Sequence, residues 1–558
     1  MRRPSRNAVR LLLALVVLAS AGSLAASYVQ ADTVGSKAVQ SDRPRASTGP
    51  GSPSENTTNE TTDGTHSAEA NATRTNGTAA PRTIEMRSRL NRSNVTTTGR
   101  PVGNLTVVAT QGFFVTDEQA ELVAFDESGD LVYYDDAYRV YFDVDPVPDA
   151  RYTVQYVAAK HFGGDDCAAF ETDRCTRNVV ERVNLTTGNV TRIYAKVTPG
   201  IGSTRWHDAD RLDEDHLVAA DVYRDGIFVV NTSAGGPAAT GVPEDGSLDA
   251  EGTGGVITTR WNASQIYSRD IGGKEGDWTH INDVEVLDDG RIMVSVRNMD
   301  QVIFLEPCDY GTAGEHDPSD DCAGYVANES WTLGTDENYE ILFEQHNPDY
   351  IPPERGGPAV IVADSENNRI VEYQRVDGDW ARTWTWKDVR LQWPRDADRL
   401  PNDNTLVTDT HGDRVAEVTP GGRVVWSVHI GMPYDAERLG TGDESAGGRS
   451  MAAIRDARRD ENASAGGAGL VAPGAGTSTR GSPTPVGAVL LWLKSVVPSY
   501  LINSALYVAP GWVQFAELVV ATGAAVTLVG WTGLEWYWSR FSVRRGLGRL
   551  RGRLRRGE

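Results

Sequence analysis

GDWTHINDVEVLDDGRIMVSVRN, residues 276–298, carries two short runs in which apolar and polar residues alternate. Val284 and Val286 share one face of the first run, and Ile292, Val294 and Val296 share one face of the second. Asp288-Asp289-Gly290 between them is a turn sequence, so the stretch reads as a β-hairpin with one buried face. His280 and Asn282 stand at the head of the first strand and Arg297 at the end of the second. Antiparallel pairing brings all three to the same end of the hairpin.

The phrase recurs. WHDADRLDEDHLVAADVYRDGIFVVN begins at 206, WPRDADRLPNDNTLVTDTHGDRVAEV at 393 and a shorter GGPAVIVADSENNRIVEY at 356. LVAFDESGDLVYYDDAYRVYFDV from 122 has the same shape with a degenerate head, and MPYDAERL at 432 repeats the opening words once more. Aromatic-rich outer strands are expected at TRIYAKV (191–197), SQIYSRD (264–270), YEILFEQ (339–345), ARTWTWK (381–387) and RVVWSVH (423–429). Four strands in a unit of ~40 residues, repeated along the chain, form blades that cannot bury both faces alone; closing them into a ring hides most sheet edges. The expectation is an all-β, six-bladed β-propeller over residues 101–440, with insertions at 232–259 and 307–335.

Both flanks look membrane-bound. Residues 1–30 place basic residues before an apolar run ending in small residues, the pattern of a signal peptide or signal-anchor. Residues 511–538 are apolar enough to cross about 30 Å of hydrocarbon and crowd tryptophan and tyrosine at one end. Residues 539–558 form a basic tail, which by the positive-inside rule belongs in the cytoplasm and leaves the propeller outside the cell membrane. Residues 486–508 are apolar but contain Lys494 and Pro498, and read as an interfacial or re-entrant helix. Residues 31–100 read as a disordered, glycosylated Ser/Thr/Asn-rich stalk, and 441–485 as a flexible Gly/Ala/Ser-rich linker.

Composition narrows the partners. The 558 residues carry 77 acidic against 54 basic side chains, a net charge of −23, and only six of the basic residues are lysine. Such a surface keeps a protein hydrated in concentrated salt, where repulsion is screened within roughly 3 Å, and reads as halophilic. It excludes nucleic acid, because nothing outside the C-terminal tail would neutralise phosphates. Cys167 with Cys175, and Cys308 with Cys322, sit as local pairs in polar loops without metal-ligand spacing, which suggests loop-closing disulfides in an oxidising compartment. Thirteen N-x-S/T sequons, six of them within 56–94, point to the same extracellular setting.

In a propeller the heads of the innermost strands and the loops after the second strands face the central axis. The heads supply Trp206-His207-Asp208, His280-Ile281-Asn282-Asp283, Trp393-Pro394-Arg395-Asp396 and Pro433-Tyr434-Asp435. The loops supply Arg224, Arg297 and His411, with Asp221, Asp364 and Asp409 close by. Imidazoles and guanidinium forks gathered in one pocket suit an oxyanion, and a neutral histidine can act as base or nucleophile. His346 reads as a loop residue and His216 as structural. A metal-assisted hydrolase would require at least three histidine or carboxylate ligands about one point, and no metal is expected.

The run Asp277-Trp278-Thr279-His280-Ile281-Asn282-Asp283-Val284, then Gly290, then Ser295-Val296-Arg297, resembles the signature of the arylsulfotransferase family. The likeness extends loosely over 105–440, including LPNDNTLVTD at 400–409. With the composition, it suggests a haloarchaeal, membrane-anchored member. The resemblance implies a secreted six-bladed propeller that moves a sulfuryl group from a phenolic sulfate ester to another phenol through a sulfohistidine, without a nucleotide donor or other cofactor. It also implies that His280 and Arg297 bind the sulfate oxygens, with Asn282 alongside and His207 as a further pocket histidine. The family's nucleophile is expected just before DADRLPNDNTLVTD, where this sequence has Arg395. A guanidinium stays protonated and cannot take a sulfuryl group. Either His207 first, or His411 second, serves instead, or the pocket binds sulfated or anionic ligands without turnover. The expected catalytic set is His207, His280 and Arg297, with Asn282, Arg395 and His411 binding a small phenolic or sulfated molecule.

Overall fold

The computed structural model describes residues 6–39, 95–97, 105–112, 120–127, 131–235, 254–308, 324–445, 447–464, 485–510 and 512–554. The expected stalk between 40 and 94, with its six sequons, and Cys322 lie outside these residues. Six antiparallel sheets make six blades around one axis. Blade 2 is Val140–Pro146, Thr153–Gly163, Arg174–Asn184 and Asn189–Pro199, in order from the axis outward. Blades 3 to 6 begin at the axis with Ala209–Arg211, Ile281–Val286, His346–Ile351 and Asp396–Arg399. Blade 1 is different. Its three consecutive strands Leu105–Thr110, Leu122–Asp126 and Leu131–Asp135 receive their innermost partner from the far end of the chain, Pro433–Arg438. The last copy of the repeated phrase is therefore the strand that closes the ring rather than the start of a further blade.

The core is divided into layers between neighbouring blades, because each blade is apolar on both faces. Val157, Val180 and Tyr194 of blade 2 meet Trp206, Leu217 and Phe228 at blade 3. Ile227 and Trp261 of blade 3 meet Ile281, Val284 and Val294 of blade 4. Phe125 and Tyr134 of blade 1 meet Leu406 and Trp426 of blade 6. Full burial of one such side chain is worth about 1.5–3 kcal/mol. The Arg399–Glu372 ion pair, 2.9 Å long and wholly buried, crosses between blades 6 and 5.

Some sequence expectations need correcting. SQIYSRD falls in a short 3-10 turn, Ala263–Gln265, and the loop after it. Asn262 accepts from the Ser264 backbone and starts that turn, so the outer strand of blade 3 is Val256–Asn262. YEILFEQ is a series of turns. The Asp300 carboxylate takes the Glu337 and Glu344 backbone N–H groups and ties that loop to blade 4, whose outer pairing comes from Tyr325–Ala327 and Leu333–Gly334. Val95–Thr97, assigned to the stalk, pairs with Val424–His429 as a fifth strand of blade 6. Cys167 and Cys175 are bonded to each other, and Cys308 is disulfide-bonded.

Among the described residues five helices flank the ring: α1 (Arg6–Val39), α2 (Met451–Ser464), α3 (Pro485–Val496), α4 (Ser499–Tyr507) and α5 (Phe515–Leu554). α2 lies in the segment read as a linker, but Met451 and Ile454 bury against blades 5 and 6, so it belongs to the propeller. Arg6–Val29 and Phe515–Arg540 are long and apolar enough to cross a membrane. They pack antiparallel: Arg10 pairs with Glu535 and Ser27 bonds Glu517 at 2.9 Å. α3 and α4 meet at a bend of 104°, at Pro498, and form a broken span or a re-entrant pair.

Replacing Arg399 by methionine strands a buried carboxylate, so Arg399→Met should cost about 3–5 kcal/mol in denaturant unfolding. Exposed Arg459, paired with Asp456 on its own helix, should cost under about 0.5 kcal/mol as Arg459→Ala.

Candidate functional site

Each innermost strand begins with the same local device. An aspartate near its head, Asp143, Asp208, Asp283, Asp349, Asp396 or Asp435, points to the axis, one from each blade, and all six are buried. Two residues on stand Asp145, Asp210, Glu285, Asp398 and Glu437. These carboxylates take backbone N–H groups from the next blade: Asp435 from Val144 at 2.7 Å, Asp143 from Ala209 at 3.2 Å, Asp210 from Val286 at 2.7 Å and Glu285 from Tyr350 at 2.7 Å. Burial raises their pKa values, Asp208 to about 7 and Asp210 to about 6. Asp349, Asp396 and Asp398 bring ligand oxygens within 4.8 Å of one another and are the described residues best placed to hold a metal ion.

The residues just before these aspartates form the upper end of the axis. Immediately before them stand His207, Asn282, Arg395 and Tyr434; three before stand Arg205, His280, His346 and Trp393. His280 and Trp393 take left-handed backbone, φ 47° and 53°. The ladder slips one residue between Ile281 and Asp283 and between His346 and Pro348. A bulge of this kind re-aims the side chain it carries, and here it turns the head residues toward the axis.

Three histidines and two arginines meet there. The His207 and His280 ring centres are 5.1 Å apart. Tyr434 lies 5.9 Å from the His207 ring, 6.1 Å from His346 and 5.9 Å from the Arg395 guanidinium. Arg395 lies 4.0 Å over Trp393, and its Nη1 sits against the ring nitrogens of His346. His280 Nδ1 meets Asp277 Oδ1 at 2.6 Å, and Arg297 pairs with Glu344. His207, His346 and Arg395 are buried, whereas His280 and Arg297 keep 18 % and 14 % of their side chains exposed. The site is reached from their side.

The electrostatics favour neutral imidazoles facing fixed cations. Burial, then the His280 charge, holds His207 well below the usual histidine range. Burial, then Arg395, does the same to His346, and burial, then Arg297, lowers His280. Burial would raise Asp277, but its hydrogen bond to His280 and the imidazole's charge hold it at about 2. Burial and Arg297 lower Arg395 to about 10, which leaves it protonated at neutral pH. His346 Nδ1 lies 3.1 Å from the Glu344 carbonyl and 3.0 Å from Ser365 Oγ. The carbonyl can only accept, so the proton is assigned to Nδ1, and the Nε2 lone pair accepts from Arg395 Nη1.

Of the residues expected from the sequence, His207, His280, Arg297 and Arg395 come together. Asn282 is wholly buried and donates to the Gln345 carbonyl at 3.0 Å, tying blade 4 to blade 5. His411 stands at the rim, its ring 4.6 Å from Trp393 and 6.3 Å from Tyr507 of α4. Arg224 stays with Asp221 at 3.4 Å, and Asp364 and Asp409 pair with Arg369 and Arg414. His216 bonds Asp213 in its own turn. The residue missed is His346, read as a loop and found heading the innermost strand of blade 5. The signal was present: His346 precedes Asp349 by the spacing that separates His280 from Asp283. A cavity of about 620 Å³ at the opposite end of the axis, lined by Asp210, Glu285, Arg291, Trp331 and Glu444, contains no histidine.

The model of the Arylsulfotransferase (ASST) family matches residues 86–377, just over half of the chain. The chain belongs to the arylsulfotransferase family. No curated protein is similar enough to count as a relative. Among solved structures, a periplasmic gluconolactonase from Pseudomonas aeruginosa is 12% identical, with a TM-score of 0.36 over 61% of this chain and 100% of that one. A provisionally named 6-phosphogluconolactonase from Bacteroides fragilis is 8% identical, with a TM-score of 0.37 over 60% and 97%. Virginiamycin B lyase from Staphylococcus aureus is 10% identical, with a TM-score of 0.26 over 48% and 73%.

His411 titrates at about 3 in the fold because of burial and Arg395, against 6.5 unperturbed. The unfolded chain therefore binds the extra proton first as the pH falls. The stability His411 supports should be intact above pH 7 and shrink by up to about 1.4 kcal/mol per pH unit between 6.5 and 3. Denaturant unfolding of wild type and His411→Phe across that window should show the difference narrowing toward acid.

Proposed function

We propose that this arylsulfotransferase-family propeller transfers a sulfuryl group between phenols at the upper end of its axis, with His346 as the nucleophile. The observation that carries the reading is the meeting of His207, His280 and His346, each pushed toward the neutral form, with the Arg297 and Arg395 guanidinium groups at one end of the axis. His346 heads a blade directly after that of His280, and its unprotonated Nε2 accepts from Arg395 Nη1, a contact that a sulfuryl oxygen taking over the guanidinium releases. The Nε2 lone pair attacks sulfur, the S–O bond to the aryl group breaks, and the phenolate leaves with the electron pair and takes up a proton. An incoming phenol then attacks the sulfohistidine, the N–S bond breaks, and the phenol gives up its proton. His207, neutral and with Nδ1 lacking a partner among the described residues, is placed to relay these protons. Arg297, Arg395 and His280 face the charge on the transferring oxygens. On this reading Arg395 is an oxyanion ligand rather than a displaced nucleophile.

The two spanning helices run antiparallel, so the basic N-terminus and the basic tail share a side and the propeller lies on the other. By the positive-inside rule the propeller is extracellular and α1 is an uncleaved anchor. Loop-closing disulfides agree with that side. A second reading, a module that binds sulfated ligands without turnover, is favoured by the pairing of Arg297 with Glu344.

Full-length protein given a chromogenic aryl sulfate and a phenol acceptor in molar salt should yield sulfated acceptor. His346→Asn should lower kcat by at least about a thousandfold, the scale of losing a covalent nucleophile, and Arg395→Lys by about tenfold to a hundredfold through the lost fork. Mass spectrometry of the donor-quenched enzyme should place the sulfuryl group on His346. Ligand affinity that survives His346→Asn with no transfer in wild type would establish the binding module instead.

A further inference from the structure

We infer that the mouth of the site lies against the bilayer and that its phenolic substrates are amphiphiles drawn from the lipid. The inference rests on the transfer reading for the chemistry, but the placement of the mouth stands on separate observations.

The first is how the bent helix pair sits. α4 docks on the loops of blades 5 and 6 beside the histidines. Asn503 accepts from Asn368 at 3.0 Å and donates to Glu366 at 2.6 Å; Glu366 in turn accepts from Trp393, the residue stacked on Arg395. Lys494 of α3 donates to the Val389 carbonyl at 3.3 Å. Tyr507 closes the contact, 6.3 Å from His411 and 6.1 Å from Trp393. The spanning helix α5 begins eight residues later, with Phe515 packed on Ile502 and Leu506. The end of the propeller that carries the site is therefore the end from which the membrane helices leave.

The second is what this end leaves uncovered. Val489, Trp492, Val496, Leu501 and Val508 of the helix pair are exposed, Trp492 by 60%. The rim loops of blades 2 to 5 on the same end add Ile201, Tyr223, Ile266, Ile271 and Tyr339, the last exposed by 46%. The opposite end carries the turns Asp213-Glu214-Asp215, Asp288-Asp289, Asp377-Gly378-Asp379 and Asn402-Asp403-Asn404, with Val376 exposed beside them; the rim loops of the site end also carry acidic residues, Asp270, Glu275, Glu337 and Glu340. An end that joins the spanning helix and carries the exposed apolar face of the helix pair is the end that seats on lipid. A phenol whose apolar body lies in the interface and whose oxygen lies at the headgroups would arrive at the mouth oriented for transfer, whereas a water-soluble one would have to pass between rim and lipid.

The full chain in vesicles of phosphatidylglycerol and phosphatidylcholine decides both parts. A fluorophore on Tyr339→Cys should be quenched by spin-labelled lipid and one on Val376→Cys, at the opposite end, should not. Of two acceptors with the same phenol head, the one with a long alkyl tail should be sulfated with about tenfold higher kcat/KM in vesicles, since each buried methylene favours the lipid phase. Trp492→Asp with Leu501→Asp, neither in the site, should abolish that preference while the tail-less phenol reacts at its original rate. Equal rates for the two phenols together with an unquenched label at 339 would overturn the inference and leave transfer standing. If neither phenol is sulfated, the transfer reading fails, and the quenching pattern alone confirms or overturns the seating of the mouth.

Discussion

A strand at the centre of a propeller has one edge with no fifth strand to pair it, and six such edges converge on the axis. Backbone N–H groups on those edges need acceptors, and the chain provides them as carboxylates: Asp435, Asp143, Asp208, Asp210 and Glu285 each reach from one blade to the backbone of the next. The ring is thereby stitched on its inside as well as glued by the apolar layers between blades. The stitching fixes where each strand head lies relative to its neighbours, and so fixes the histidines that stand one or three residues before the aspartates.

The same device divides the axis electrically. Below the strand heads, buried carboxyls crowd one another and are pushed toward the neutral form; Asp283 and Asp349 are raised by burial and by carboxyls around them. Above them, Arg297 and Arg395 stand among imidazoles held neutral by burial. The fixed cations of the upper layer favour an anion there over the carboxyl-lined layer below. The axis is therefore cationic at the strand heads and lined by carboxyls beneath them.

Much of this was legible from residues 276–298 and their echoes. Period-two alternation and the Asp-rich turns fixed the blade unit, and the repeated phrase placed His207, His280 and Arg395 on one end. Three features were not legible. The outer strands of blades 3 and 4 were misplaced because aromatic residues in SQIYSRD and YEILFEQ mark packing against a neighbour, which a loop held by Asn262 or Asp300 achieves as well as a strand. The same misassignment hid His346, since the run before it was taken as a strand and its own Asp349 spacing was left unused. The helix pair beyond residue 485 was legible as apolar, but its docking depends on the isolated polar contacts of Asn503 and Lys494, which leave no periodic trace.

The closing of blade 1 by Pro433–Arg438 has a consequence for biogenesis. Leu105–Thr110 is among the first propeller strands to emerge from the ribosome, and its partner is made last, shortly before the final hydrophobic segments. At usual rates of synthesis the gap is tens of seconds, during which an apolar strand edge stands open to any other nascent chain. Folding of this protein thus places a premium on shielding the early blades until the C-terminal strand arrives, and a truncation anywhere before residue 438 leaves an open arc instead of a smaller ring.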